Sequence, residues 1–220
     1  MQDIIFGLIS FIIAASAFAL GVAKIFKKKK PLYLQLIICA VGCFALEQLS
    51  DVVTLWCGGF SQFVTIGMLG IFGCNFFLLS ANFGTLDRIV DDGDEQNKSA
   101  RLIAFVAPAV VAVLMVIVFV FWKNKNLFAA IMWTAMLVPA LPASYYNLKH
   151  IIMPVDVFEF LKATKLCNIF ALCFYLITVV YILCSSTENS LFIGISSVLM
   201  SLSALGLVFA TLKGDKKWGI

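Results

Sequence analysis

Two carboxylates lie four residues apart inside an apolar stretch of the chain. Glu47 and Asp51 belong to Cys43–Trp56, which reads CFALEQLSDVVTLW and lies within the apolar segment Leu32–Trp56. On a helix, residues four apart share one face and are separated by about one turn. Ionisable groups in a membrane-spanning helix are costly and point into the protein interior or a wet cavity. The pair is therefore the first candidate for chemistry in this chain.

The sequence places no basic residue where it could neutralise the pair. All 16 Lys and Arg residues fall in predicted loops or at helix ends, away from the depth of Glu47. An unpaired buried carboxylate costs on the order of several kcal/mol. Three arrangements would relieve this cost: the pair holds a proton, it binds Na⁺ or an organic cation from outside, or Asp51 reaches outer water while Glu47 hydrogen-bonds to neighbouring groups. They predict a proton relay, a ligand site and a structural link between helices, respectively.

Other polar residues at helical spacing extend this candidate site. Ser50 lies on the same face as Glu47, and polar residues of other apolar segments could converge on one interior. The predicted ligand- or ion-binding residues are Glu47, Ser50, Asp51, Asn75, Asn168 and Tyr175.

The composition requires lipid as the solvent for much of the chain. Of the 220 residues, 62% are hydrophobic and 13% are charged, and the mean hydropathy is +1.03. A soluble domain of this size could not bury so much apolar surface. The charges fall in short gaps between seven apolar runs of about 20 residues, the length that crosses a ~30 Å hydrocarbon core. These runs are Ile4–Phe26, Leu32–Trp56, Phe60–Phe83, Leu102–Trp122, Leu127–Tyr146, Leu166–Cys184 and Leu191–Leu212. We predict an all-α integral membrane protein, a seven-transmembrane helix bundle with one domain over residues 1–220.

The positions of Lys and Arg predict the orientation. With the N-terminus outside, every Lys and Arg except Lys123 and Lys125 falls on the inner side. This asymmetry matches the positive-inside rule, so we predict an outer N-terminus and a cytoplasmic C-terminus in a plasma or bacterial inner membrane. At about 1.5 Å per residue, Glu47 then lies roughly 4 Å and Asp51 roughly 10 Å outward of the midplane. The net charge of +4 reflects orientation and contact with anionic lipid, and we expect no nucleic-acid partner.

The counts of His and Cys argue against an enzyme. His150 is the single histidine, so intramembrane hydrolases that need several histidines, and Ser–His proteases within the membrane, cannot be built. The last apolar segment has no Lys in its middle, which argues against a retinal protein. No CxxC pair is present among the seven cysteines, so we expect no metal and no cofactor. A disulfide between Cys57 and Cys184, both near outer helix ends, stays open.

Small residues and prolines predict how the helices pack. Ala15, Ala19 and Ala23 form one row on the first helix, which would serve either internal packing or the docking of a membrane partner subunit. The third helix carries Gly67, Gly70 and Gly73, and the seventh carries Gly194, Ser197, Ser201 and Ala204. In the fifth segment, Pro139 and Pro142 predict a kink whose freed carbonyls need a partner.

These features leave three functions open. The first is a receptor or sensor that binds a small ligand or cation in the outer half, through the two carboxylates, and signals through a partner. The second is a small-solute or proton-coupled transporter, which would need a pathway across the inner half. The third is an accessory or structural subunit of a membrane complex. Beyond the lipid bilayer, the expected partners are a small ligand, Na⁺ or H⁺, and a membrane subunit docked on Ala15, Ala19 and Ala23.

Overall fold

The computed structural model describes residues 2–26, 30–58, 67–83, 87, 98–153, 159–187 and 189–215, and within them every regular element is helical. Six stretches of helix are long and apolar enough to cross a membrane, and a seventh is shorter. The described helices are α1 (Gln2–Ile25), α2 (Leu32–Trp56), α3 (Gly67–Ala81), α4 (Lys98–Ala104), α5 (Val106–Lys123), α6 (Leu127–Leu137), α7 (Ala140–Ile152), α8 (Glu159–Thr187) and α9 (Ser190–Asp215). The all-helical architecture is thus confirmed, and six apolar helices of this length suggest an integral membrane protein.

Helix α2 begins and ends at the residues predicted from the sequence. Pro31 precedes its first turn, where a missing backbone N–H is tolerated. At the other end Gly58 has φ 87°, the left-handed conformation that glycine adopts after many helices. Helices α1 and α9 agree with prediction to within three residues at each end. Residues 60–66 of the third predicted segment lie outside the described residues.

Two predicted segments are interrupted: the break in the fifth lies at the kink predicted from Pro139 and Pro142, whereas the fourth was predicted as a continuous helix and is not one. The fourth divides into α4 and α5 at Phe105, and the fifth divides into α6 and α7 at Val138 and Pro139. Pro108 and Pro139 lack the N–H that would bond four residues back, and their rings displace that carbonyl. The fifth segment also continues to Ile152 instead of ending at Tyr146.

The sixth predicted segment was too short. It was placed at Leu166–Cys184, whereas α8 runs from Glu159 to Thr187. The sequence before Leu166 mixes apolar and charged residues, and a hydropathy argument ends a segment at the first charges. A helix can continue past them, because its backbone hydrogen bonds do not depend on apolar side chains.

Helix α2 lies at the centre of the packing. It contacts α1, α3 and α9, while α9 packs on α8 and α3 packs on α6 and α7. More than half of its most apolar stretch is buried, the largest share among the membrane-length helices of the described residues. Polar side chains on several faces of α2 are therefore inside the bundle.

Glycines allow the closest approaches to this central helix. A Cβ added at Gly70 would lie 2.6 Å from the backbone oxygen of Cys43 and 2.6 Å from Glu47 Cβ. The glycine row of α3 thus serves internal packing, and it brings α3 against the carboxylate region of α2. In contrast, Ala19 and Ala23 are exposed and Ala15 is half-buried.

Candidate functional site

The two carboxylates of α2 lie together inside the bundle. Glu47 is 2% exposed, and its Oε2 accepts a hydrogen bond from Gln48 Nε2 at 2.6 Å. The Glu47 and Asp51 side chains also interact directly, as expected for residues one turn apart. Asp51 is half-buried and lies between the buried Glu47 and the nearer end of the bundle.

Three other helices are linked to this pair, α8 by a direct hydrogen bond and α9 and α1 through Gln48. From α8, the Tyr181 hydroxyl donates to Asp51 Oδ2 at 3.0 Å. From α9, the Ser197 hydroxyl donates to Gln48 Oε1 at 2.8 Å and lies 3.0 Å from the hydroxyl oxygen of Ser10 on α1. The carboxylates are thus connected by side chains to α1, α8 and α9.

A cavity of about 220 Å³ opens beside this network at the Asp51 end of the bundle. Its described lining residues come from α1, α2, α8 and α9 and are Asp3, Phe6, Gly7, Gln48, Asp51, Thr54, Leu55, Tyr181, Ser190, Ile193, Gly194 and Ser197. Exposed Asp3 and half-buried Ser190, whose side chains hydrogen-bond to each other, mark the mouth, and buried Gln48 and Ser197 mark the floor. The cavity therefore leads from the helix ends down to the carboxylate network.

The ionisable side chains that line the cavity are acidic. Asp3 and Asp51 line it directly and Glu47 lies behind Asp51, while none of the described lining residues is Lys or Arg. Charges in a site partly shielded from water interact more strongly than charges in bulk solvent. A cation entering the cavity would meet a carboxylate that no basic side chain of the lining neutralises.

The other predicted site residues do not line this cavity. Ser50 faces α3, because a Cβ added at Gly67 would lie 3.4 Å from Ser50 Cβ. Asn75 is fully buried, and its Nδ2 donates to the backbone oxygen of Met136 at 3.0 Å, next to the break between α6 and α7. The proline kink in this segment therefore has a protein partner for a nearby carbonyl.

Asn168 and Tyr175 lie deeper along α8. Counted from Tyr181 at about 1.5 Å per residue, Tyr175 lies roughly 9 Å and Asn168 roughly 20 Å further from the cavity. Both are buried, and Asn168 Nδ2 has no hydrogen-bond partner among the described residues. Of the six predicted residues, the structure thus brings Glu47 and Asp51 together at the cavity and distributes the other four elsewhere in the interior.

Most of the residues that line the cavity or support it were not predicted from the sequence. Gln48 lies about 100° around α2 from Glu47, off the single polar face that spacing identifies. Tyr181, Ser10 and Asp3 carried no signal of their own, because lone polar residues in membrane helices are common. The sequence predicts only a packing role for Ser197. Its position one turn after Gly194, on a row of small residues that a neighbouring helix can approach closely, was the one usable sign that Ser197 contacts another helix.

A second charged cluster lies at the opposite end of the bundle. Asp87 forms an ion pair with Lys149, and His150 Nε2 lies 3.1 Å from Asp87 Oδ1. Lys149 Nζ also lies 5.6 and 5.3 Å from the ring centroids of Tyr145 and Tyr146. Partial burial of Asp87 opposes its ionisation, but the hydrogen bonds and charges of His150 and Lys149 outweigh this effect and lower the pKa of the carboxyl group.

Among the cysteines, Cys74 lies near Glu47 and interacts with it electrostatically. All seven thiols are free, including Cys57 and Cys184, so the structure does not contain the disulfide that the sequence left open. In the described part of the chain, no group of three or more His, Cys, Asp and Glu side chains could hold a metal ion.

Comparison with known families, with curated proteins and with solved structures finds no match to this chain. Its function must therefore be argued from the geometry of the site itself.

Proposed function

We propose that this protein spans the membrane seven times, with its N-terminus outside, and binds a small cation in the cavity at the Asp51 end of the bundle. It would act as a receptor or sensor that signals through a partner protein. The observation that carries this proposal is Asp51 in the wall of a 220 Å³ cavity whose described lining has no Lys or Arg. With the predicted orientation, this cavity opens to the outside.

The energetics of the carboxylates favour a cation as the ligand. Glu47 and Asp51 already accept hydrogen bonds from Gln48 and Tyr181, which lowers the cost of burying them but leaves their charges uncompensated. Repulsion between two neighbouring carboxylates disfavours the doubly ionised state. A bound cation would relieve this repulsion, whereas a bound anion would increase it.

The arrangement of helices supports a signalling role. The lining residues come from the first two helices of the chain, α1 and α2, and from the last two, α8 and α9. If these helices have two relative arrangements, a ligand held between them shifts the equilibrium toward the arrangement that binds it more tightly. The size of this shift is set by the difference in affinity between the two arrangements. A partner at the opposite end of the bundle could detect such a change.

Thermal unfolding of the purified protein tests this proposal. We expect Na⁺, titrated against choline at constant ionic strength, to raise the unfolding midpoint of the wild type and to have no effect on Glu47→Gln or Asp51→Asn. Asp87→Asn is the matched control, because it removes a carboxylate at the opposite end and should keep the response. If a panel of inorganic and organic cations left the wild-type midpoint unchanged, the carboxylates would only link helices and the proposal would fail.

A second candidate, a proton-coupled or small-solute carrier, is favoured by buried polar groups beyond the cavity. Asn82 Nδ2 donates to Asn147 Oδ1 at 2.7 Å, and both side chains are buried between α3 and α7. Asn82 Oδ1 has no further hydrogen-bond partner among the described residues, and Asn147 also faces the buried hydroxyl of Tyr175. Buried polar groups of this kind commonly bind internal water, so they could continue a polar route toward Asp87.

Flux measurements separate the two candidates. A carrier should move protons or solute into proteoliposomes, and Glu47→Gln should abolish the flux. A receptor should bind its ligand without any flux. Asn147→Leu is the informative second variant, because it should block the route of a carrier and leave ligand binding at the Asp51 end unchanged.

A further inference from the structure

We infer that the natural occupant of the cavity is a small organic ammonium that carries an apolar group, and not an inorganic ion. This inference rests on the proposed cation site and names its ligand class. It follows from three independent properties of the cavity: its hydrogen-bonding balance, its size and the order of its layers.

The hydrogen-bonding balance of the cavity suits a ligand that donates. The hydroxyl hydrogens of Tyr181 and Ser197 are used inside the protein, on Asp51 and Gln48, and one amide hydrogen of Gln48 is used on Glu47. Carboxylate oxygens accept hydrogen bonds and cannot donate them when ionised. Among the described residues of the wall, the available donors are the Thr54 hydroxyl and the second amide hydrogen of Gln48, and they are fewer than its acceptors. A protonated amine, which has only donors, matches that surplus.

The size of the cavity exceeds the needs of a metal ion. A cavity that holds one water molecule needs a volume of about 10–15 Å³, whereas this cavity has a volume of about 220 Å³. A bare ion would leave most of this space to water.

The layers of the cavity match an amphiphilic ligand. Phe6, Leu55 and Ile193 form an apolar layer between the mouth at Asp3 and the polar floor. The order follows from the chain: α1 and α9 run side by side, with Asp3 beside Ser190, Phe6 beside Gly194 and Ser10 beside Ser197. An ammonium group at Asp51 would thus have its apolar group held by these three side chains.

Close packing of α1 and α9 builds the apolar layer. A Cβ added at Gly194 would lie 2.5 Å from Phe6 Cδ2, which is closer than two carbon atoms can approach. Gly194 therefore allows the Phe6 ring to lie directly against α9, where it forms part of the apolar layer.

The experiment compares 2-phenylethylamine with its neutral isostere 2-phenylethanol on the purified full-length protein at pH 7, where a primary amine is protonated. Binding is measured by the unfolding midpoint and by calorimetric titration. We expect saturable binding of the amine, no binding of the alcohol and a weaker effect of Na⁺. Asp51→Asn should weaken amine binding by about tenfold or more, and Ile193→Trp, which fills the apolar layer and keeps every carboxylate, should also weaken it.

Each outcome decides a separate claim. Equal binding of amine and alcohol would mean apolar partitioning and would overturn the ligand class. Stabilisation by Na⁺ without amine binding would overturn this inference and leave the proposed cation site in place. No response to any cation would overturn both. If Asp51→Asn fails to fold, the wild-type comparison of amine with alcohol and the Ile193→Trp variant still decide the matter.

Discussion

The hydroxyl of Tyr181 on α8 donates a hydrogen bond to Asp51 Oδ2 on α2 at 3.0 Å, and the two residues are 130 positions apart in the chain. This bond joins the central helix to the second half of the molecule at the level of the cavity. It also holds one oxygen of Asp51 in a fixed direction. The position of the charge that a cation would meet therefore depends on a residue in a different helix.

Removing this hydroxyl should destabilise the protein and loosen Asp51. We expect Tyr181→Phe to lower the free energy of unfolding in mixed micelles by about 1.5–3 kcal/mol, the range for a hydrogen bond to a charged group. A double-mutant cycle with Asp51→Asn checks that the effect belongs to this pair. If Tyr181→Phe costs the same in both backgrounds, the hydroxyl and the carboxylate are not coupled and the geometry of the site is different.

Enlarging Gly70 should separate α3 from α2. An alanine Cβ at this position would lie 2.6 Å from the Cys43 carbonyl oxygen, a backbone atom that cannot rotate away. We expect Gly70→Ala to cost about 1–3 kcal/mol, as overpacking does in well-packed interiors. Gly73→Ala is the matched control: its Cβ would lie 3.1 Å from Cys43 Sγ, a side-chain atom that can move, so its cost should be smaller.

The sequence predicted those features that depend on local chemistry. The apolar run from Leu32 to Trp56 contains no proline and is flanked by Pro31 and Gly58, so both of its ends were correct. The pairing of Glu47 with Asp51 followed from helical spacing alone. In these cases the determining interactions lie within one turn of helix, where the sequence specifies them directly.

Features that depend on the arrangement of helices could not be predicted in this way. Gln48 is buried because α9 covers a second face of α2, and its partner Ser197 is 149 residues away. Asn75 was grouped with the carboxylates on residue type, although it bonds to the Met136 carbonyl near a break that two prolines produce. The spacing of residues along one helix does not show which other helices pack against it.

The Asn82–Asn147 hydrogen bond should couple α3 to α7. A double-mutant cycle with Asn82→Ala and Asn147→Ala should give a coupling energy of about 0.6 kcal/mol and no more than about 1.7 kcal/mol, the average and the maximum for such hydrogen bonds between membrane helices. Chemical unfolding in mixed micelles measures it. A coupling near zero would mean that water replaces either amide without loss, which would itself support an internal hydrated route.

The predicted orientation can be checked with the native cysteines. Cys57 is exposed just past the end of α2, whereas Cys173 is exposed in the middle of α8, where lipid would surround it. In a Cys184→Ser background, which removes the other thiol near this end, a membrane-impermeant maleimide should therefore label Cys57 from outside in intact cells, and Cys57→Ser should lose that labelling. Labelling that appears only after the membrane is opened would invert the orientation and place the cavity on the inner side.

The ion pair of Asp87 with Lys149 should make stability depend on pH in the acidic range. Because the pKa of Asp87 is lowered in the folded state from its ordinary value of 3.8, its contribution is complete above that value and is lost as pH falls through the lower, folded value. We expect Asp87→Asn to cost about 3 kcal/mol at neutral pH, since it leaves Lys149 and His150 buried beside a neutral group.

The same variant provides the test across pH. The difference between the midpoints of the wild type and Asp87→Asn should shrink as the pH falls from about 5 to below about 4, because the Asp87 carboxyl group becomes protonated in this range. Asp3→Asn, which removes an exposed carboxylate at the opposite end, should show no such trend. A difference that persists unchanged at low pH would mean that Asp87 stabilises the fold through its shape and hydrogen bonds, and not through its charge.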